Sequence, residues 1–253
     1  MKKSIWTAAA IAMLTAVPTL AGAQAKPEWS FTGNMSLVSD YRFRGISQTY
    51  KLPAIQGGFD LGHNAGFYAG TWASNVSGNQ YPGGNGMELD LYGGYRFDVA
   101  KGVTLDLGFI YYAYPDAKTG GKKFNTTELY GGISMGNLSA KLNYAISDNF
   151  GLNDSDGSYY LDVGYTHPLS KTTSFVLHVG HQSVSNGTRG GAPDPDYTDY
   201  KIGFTAEAVG LNWGIAYVGN NAKDRAYTFT SAANASTKVV SSDTIVLSVG
   251  KTF

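Results

Sequence analysis

Trp29-Ser30-Phe31-Thr32-Gly33-Asn34-Met35-Ser36-Leu37-Val38-Ser39-Asp40-Tyr41-Arg42-Phe43-Arg44 is the stretch whose reading decides the fold. Its odd positions, from Trp29 through Met35 and Leu37 to Tyr41 and Phe43, are nearly all apolar. Its even positions, from Ser30 through Asn34 and Ser36 to Asp40, Arg42 and Arg44, are nearly all polar. A period of two sends successive side chains to opposite faces of a strand, and helical spacing fits the segment badly. The run is long enough for a tilted strand to cross a bilayer, which takes about 9–11 residues.

The same alternation recurs downstream over 54–62, 66–75, 87–98, 102–113, 125–136, 138–147, 158–168, 173–183, 198–208, 211–219 and 243–253, which predicts twelve strands. In 87–98, Met87, Leu89, Leu91, Tyr95 and Phe97 oppose Glu88, Asp90, Tyr92, Arg96 and Asp98. In 102–113, Val103, Leu105, Leu107, Phe109 and Tyr111 oppose Thr104, Asp106, Gly108, Ile110 and Tyr112. The parity changes in 198–208, where Tyr200, Ile202, Phe204 and Ala206 form the apolar face. Phe67, Tyr68, Trp72 and Ala73 blur the two faces of 66–75. The links alternate in length. Those at 63–65, 99–101, Asn137, 168–172 and 209–210 are tight, whereas 76–86, 114–124, 184–197 and above all 220–242 are long and polar. Short turns at one end and long loops at the other are the layout of an all-β, antiparallel, up-and-down outer-membrane barrel. An even strand count puts both termini on the periplasmic side, and a soluble sandwich shows no such regular alternation.

Upstream of this region, Lys2 and Lys3 precede an apolar run from Ile5 to about Leu20 and the overlapping motifs Ala21-Gly22-Ala23 and Ala23-Gln24-Ala25. That order is expected of a secretory signal peptide over 1–25, cut after Ala25 or else after Ala23, leaving 26–253 as the barrel. Pro18 and the small residues leave the run too short for a membrane anchor. Removing Lys2 and Lys3 leaves 17 basic residues against 19 acidic ones, a formal charge of −2, so no basic field remains to attract nucleic acid. With no cysteine, neither a disulfide framework nor a thiolate metal site is available, and no cofactor is expected.

The polarity of the faces separates a membrane barrel from a soluble one. A soluble barrel turns its apolar face inward, but here the polar face carries charges such as Asp106, Lys141 and Asp162 on nearly every strand. Burying them unpaired in a dry core would cost several kcal/mol each, a cost that a wet lumen surrounded by lipid removes. Tyr41, Phe43 and Tyr111 are expected in the outer aromatic girdle, and Trp29, Tyr95, Phe97 and Phe253 in the inner one. A weak repeat, Glu88–Tyr95, Glu128–Ile133 and Tyr160–Tyr165, opens three descending strands, and its glycines permit bends and close approach in the wall.

Ser39-Asp40-Tyr41-Arg42-Phe43-Arg44-Gly45-Ile46-Ser47-Gln48-Thr49 resembles the opening signature of the TorF family of proposed porins. Tyr68–Val76 and Glu88–Arg96 are similar to its next two blocks. The resemblance implies an outer-membrane barrel with a channel role. The C-terminus resembles an outer-membrane assembly signal, with Phe253 last and Val249, Leu247 and Ile245 at alternate positions; Lys251 departs from that pattern and would snorkel to the interface. The partners expected are therefore outer-membrane lipid and lipopolysaccharide, the assembly machinery, and small polar solutes.

Alternation makes Asp40, Arg42, Arg44, Glu88, Asp90, Arg96, Asp106, Glu128, Lys141, Asp162, Lys201 and Glu207 the expected pore-lining residues. Asp40, Arg42 and Arg44 should gather near the outer mouth, opposite Glu88, Asp90 and Glu128, and set up a transverse field that sorts solutes. Alternatively, these charges pair with their neighbours and fill a narrow lumen. His178 and His63 read as isolated polar residues. A different class of function would be a lipid hydrolase, with His181 activating Ser183 two residues away on one strand face. The long loops also allow an adhesive or purely structural barrel. Asn153-Asp154-Ser155-Asp156-Gly157 hints at calcium but has too few spaced oxygen ligands for an EF-hand.

Overall fold

The computed structural model describes residues 28–253 apart from Gly187, Gly190, Gly191 and Asp194. The signal peptide expected over 1–25 lies outside the described residues, as does part of the polar loop before β10. The wall comprises β1 (Trp29–Val38), β2 (Ala54–His63), β3 (Phe67–Asn75) and β4 (Met87–Ala100). It continues with β5 (Val103–Ala113), β6 (Thr126–Met135), β7 (Leu138–Ala145) and β8 (Tyr159–Pro168). The last four are β9 (Thr173–Ser183), β10 (Tyr197–Ala208), β11 (Leu211–Asn220) and β12 (Thr244–Thr252). Every strand pairs antiparallel with its chain neighbours, and β1 closes the ring by pairing with both β2 and β12. In hydrocarbon only a closed ladder satisfies every backbone N–H and C=O of a sheet.

The alternation read from the sequence sets which face meets lipid. Phe31 (68% exposed), Leu107 (52%) and Leu247 (54%) stand on the outer surface with Phe59, Leu129, Val179, Ile202 and Ile215. So large an apolar belt would drive aggregation in water and is the mating surface of a bilayer protein. The blurred faces of β3 resolve as Phe67 outward and Trp72 inward, where Trp72 packs on Tyr41 with ring centroids 5.3 Å apart. Inward tyrosines lie over glycines of the adjoining strand. Tyr68 is in register with Gly94, Tyr92 with Gly70 and Tyr130 with Gly108. A Cβ on any of the three would fall about 2.5 Å from the phenol facing it. The wall is glycine-rich because its aromatic side chains use the neighbouring strand as their bed.

Two parts of the chain depart from the sequence reading. The first strand ends at Val38 rather than running on to Arg44, and residues 39–53 turn into the barrel. Arg42–Phe43 there forms a short ladder with Ile46–Ser47 through a turn at Arg44 (φ 48°) and Gly45 (φ 77°). A Cβ on Gly45 would lie 2.6 Å from Asp199 Cβ, so both conformation and space require glycine. Tyr41 and Phe43 therefore do not join the outer girdle. Tyr41 is buried, and Phe43 packs edge-on against Tyr112 and Phe150, each at 5.5 Å. The second departure is the last long loop, which is not simply solvated. Its 3-10 turn Asp224–Tyr227 and the ladder of Thr228–Thr230 with Thr237–Val239 bring Tyr227 and Val240 down onto Ile46 and Tyr50.

Candidate functional site

The inturned segment places Arg44 in the middle of the ring. Its Nη2 donates to both carboxylate oxygens of Glu128 on β6, at 2.9 and 2.6 Å, and its Nη1 donates to Gln182 Oε1 on β9 at 2.8 Å. The guanidinium is held between the rings of Phe43 (4.7 Å) and Tyr160 on β8 (4.5 Å). A residue hanging from β1 thus reaches strands nearly across the barrel, one guanidinium nitrogen serving the carboxylate and the other the amide. Arg42 turns the other way. It donates to Asp40 at 2.7 Å and to the carbonyls of Gly45, Val240 and Ser242, tying the segment to the last loop. Asp40 in turn accepts from Ser47, and Tyr81 donates to Gln48.

At this level the interior is packed rather than watery. Tyr41, Trp72, Ile110, Tyr112, Tyr114, Phe124 and Phe150 form one buried cluster inside the barrel. A cavity of about 40 Å³ lined by Arg44, Gln182, Phe150 and Tyr197 leaves room for a water or two. Toward the periplasmic end the inward residues Ser30, Thr32 and Asp98 are exposed. The interior is therefore narrowed by packed side chains near its outer mouth and more exposed below.

The expected charges of the lower wall pair with their neighbours. Arg96 meets Asp106 at 2.9 Å and stacks over Tyr68, whose hydroxyl donates to Asp106 and meets that of Tyr130. The Lys141 ammonium sits 3.7 Å from the Tyr130 ring centroid. His178 is not isolated: Nδ1 lies 3.1 Å from Asp162 and Nε2 2.7 Å from Asp199, which also accepts from Tyr160 at 2.8 Å. His63 likewise meets Glu28 at 3.0 Å. Lys201 is the register partner of His178, and Glu207 stands at the inner end opposite Asn212. Signs alternate along the wall, because Arg96 is paired in register with Asp106 and Lys141 with Asp162. The transverse separation of charge gives way to contact, Arg44 on Glu128 across the lumen and Arg42 on its own Asp40. Glu88 and Asp90, inward on β4, are buried without an ion-pair partner among the described residues.

The pair proposed for lipid hydrolysis does not assemble. The Ser183 hydroxyl donates to Asp196 at 2.9 Å, while His181 Nδ1 lies 3.0 Å from Thr198 Oγ1. In the Asn153–Gly157 stretch Ser155 is buried and its hydroxyl donates to the Leu152 carbonyl at 2.8 Å, a contact that organises the loop.

The barrel is similar to that of the NanC porin, with a TM-score of 0.52 and 10% identity over 87% of this chain and 98% of that one. It also matches the KdgM porin (TM-score 0.49, 8% identity, 88% and 98% covered). An outer-membrane channel from Pseudomonas putida F1 matches with a TM-score of 0.47 and 14% identity over 93% and 100%. At these identities the likeness is one of fold, that of a twelve-strand outer-membrane barrel. No curated protein matches the sequence. The profile of Gcw_chp, described as a bacterial protein of unknown function, matches residues 22–253, and the chain belongs to that family.

Proposed function

We propose that the protein is a passive channel of the outer membrane for small polar solutes, narrowed at its outer end by the inturned segment. The observation that carries this reading is Arg44, held at the centre of a polar-walled barrel by a loop that folds in from the wall. A loop inside a barrel restricts passage without closing the wall, and its side chains set what fits. The TorF-like run Ser39–Thr49 supports the reading, because those same residues build the inturned segment. The twelve charged residues divide into two groups. Asp40, Arg42, Arg44, Glu88, Asp90 and Glu128 build the constriction. Arg96, Asp106, Lys141, Asp162, Lys201 and Glu207 line the wider path below. Their alternating signs favour small polar solutes over strongly charged ions of either sign. The apolar belt faces lipid and lipopolysaccharide, and Phe253 serves the assembly machinery.

Liposome swelling with purified protein and a panel of small uncharged, zwitterionic and charged solutes tests the proposal. Solute-dependent swelling above that of protein-free vesicles is expected, fastest for the smallest polar solutes. No swelling with any of them would refute a channel role.

A further inference from the structure

Four side chains meet beneath the outer loops, two of them carboxylates that no cationic side chain faces among the described residues. Glu88 and Asp90 follow one another on the inward face of β4 and are 0% and 5% exposed. The hydroxyls of Tyr41, from the inturned segment, and Tyr114, just past β5, flank the Glu88 carboxylate; these residues are 1% and 2% exposed. Asp90 Oδ1 lacks a hydrogen-bond partner, and Glu88 is met by the two phenols but by no cationic side chain among the described residues. Other carboxylates inside the barrel are matched, Glu128 by Arg44, Asp106 by Arg96, and Asp199 by His178 and Tyr160. An orphaned buried oxygen points to a bound water or ion. Water would fill the lone pairs but leave two anionic groups desolvated side by side, the costlier half of the problem.

We propose that Glu88 and Asp90, with the hydroxyls of Tyr41 and Tyr114, bind a hard divalent cation, calcium in preference to magnesium. All the donors are oxygens, and two carboxylates neutralise a double charge. Magnesium demands short bonds in a near-ideal octahedron, whereas calcium accepts the irregular set that two carboxylates and two phenols on separate elements can offer. Because Tyr41 belongs to the inturned segment, the ion fastens that segment to β4, a second anchor beside the Arg44–Glu128 bond.

The test uses the folded barrel in detergent after chelator treatment. Terbium luminescence excited through the surrounding tyrosines should rise on binding and be quenched competitively by calcium, and calorimetry should find calcium bound. Glu88→Gln and Asp90→Asn should each weaken calcium roughly tenfold or more, with heat-modifiable gel mobility showing that both variants fold. Tyr114→Phe, which removes one oxygen and little volume, should weaken it less. The proposal is overturned if the wild-type barrel gives no calcium-sensitive terbium signal, or if the carboxylate variants bind as well as wild type. It is equally overturned if infrared spectra in calcium show a protonated carboxyl that Glu88→Gln removes.

Discussion

Replacing Arg44 by alanine removes the side chain that bridges the lumen from the inturned segment to Glu128 and Gln182. The two charged partners are 5% and 1% exposed at their side chains, so solvent screens the bond little. Removing one member of such a pair strands the other, at about 3–5 kcal/mol. The Tyr112 hydroxyl, 3.3 Å from Glu128 Oε2, would recover part of that and favours the lower end. At ~1.4 kcal/mol per factor of ten, the ratio of docked to undocked segment falls by about two powers of ten. Arg42 and the Gln48–Tyr81 contact still hold the segment, so it should fluctuate rather than leave. Single-channel recording in planar bilayers should show larger unit conductance and more frequent transitions for Arg44→Ala, and a change in the same direction for Glu128→Gln. The double variant should add little to either single one, since they share one bond. Arg44→Lys should fall between, because a single ammonium cannot hold Glu128 and Gln182 with the two spread nitrogens of a guanidinium. Unchanged conductance and gating in both single variants would refute the assignment of this bond as the constriction.

Leu107→Arg puts a charge in the lipid-facing belt and should cost about 2–4 kcal/mol if Leu107 lies near the midplane, read by reversible unfolding in lipid vesicles; a neutral result would contradict the outward orientation. Gly94→Val places side-chain atoms where the Tyr68 phenol and the Leu107 carbonyl already lie, and should cut the yield of folded barrel by an overpacking cost of about 1–3 kcal/mol. His178→Ala strands Asp162 and Asp199 and should lower the thermal unfolding midpoint more than Ser183→Ala does; equal effects would argue against the buried bridge. Lys122, in the loop after β5, donates to Asp148, in the loop after β7, at 3.0 Å and holds its carboxyl below the ordinary carboxylate value. The tie is therefore present above the unfolded carboxylate's value and lost as pH falls through the lowered one. Hydrogen exchange at the Ser155 amide, which donates to Asp148, should lose protection in acid, and at a higher pH in Lys122→Ala; coincident curves would count against the bond.

The wall was legible because period-two patterning and lipid exposure are the same fact seen twice. Leu107 and Asp106 are assigned to opposite faces by alternation alone, and the ladder then follows from adjacency. The end of β1 was not legible, since Tyr41-Arg42-Phe43-Arg44 alternates equally well on a wall strand and on a hairpin inside the barrel. Gly45 was the available signal, because a glycine after two arginines marks a tight reversal that a spanning strand does not need. The narrowing of the lumen was hidden for a related reason: an inward aromatic such as Trp72 looks like a blurred face until Tyr41 is known to lie against it. His178 could not be paired from sequence, as its carboxylates come from two different strands. Tyr227 and Val240 did carry a hint, being apolar in a loop otherwise suited to solvent.

The ring joint is its shortest seam. β1 is bonded to β2 along all ten of its residues, but in register with β12 only from Asn34 to Val38. Below that run a single two-way bond remains, Gly33 N–H to the Phe253 carbonyl at 2.8 Å and Phe253 N–H to the Gly33 carbonyl at 2.9 Å. The phenyl ring covers Gly33, where a Cβ would stand 2.7 Å from it. The last residue is thus the final stitch of the cylinder, with both its main-chain groups committed once the stitch is made. Any contact that takes up the Phe253 main chain must therefore open this part of the seam.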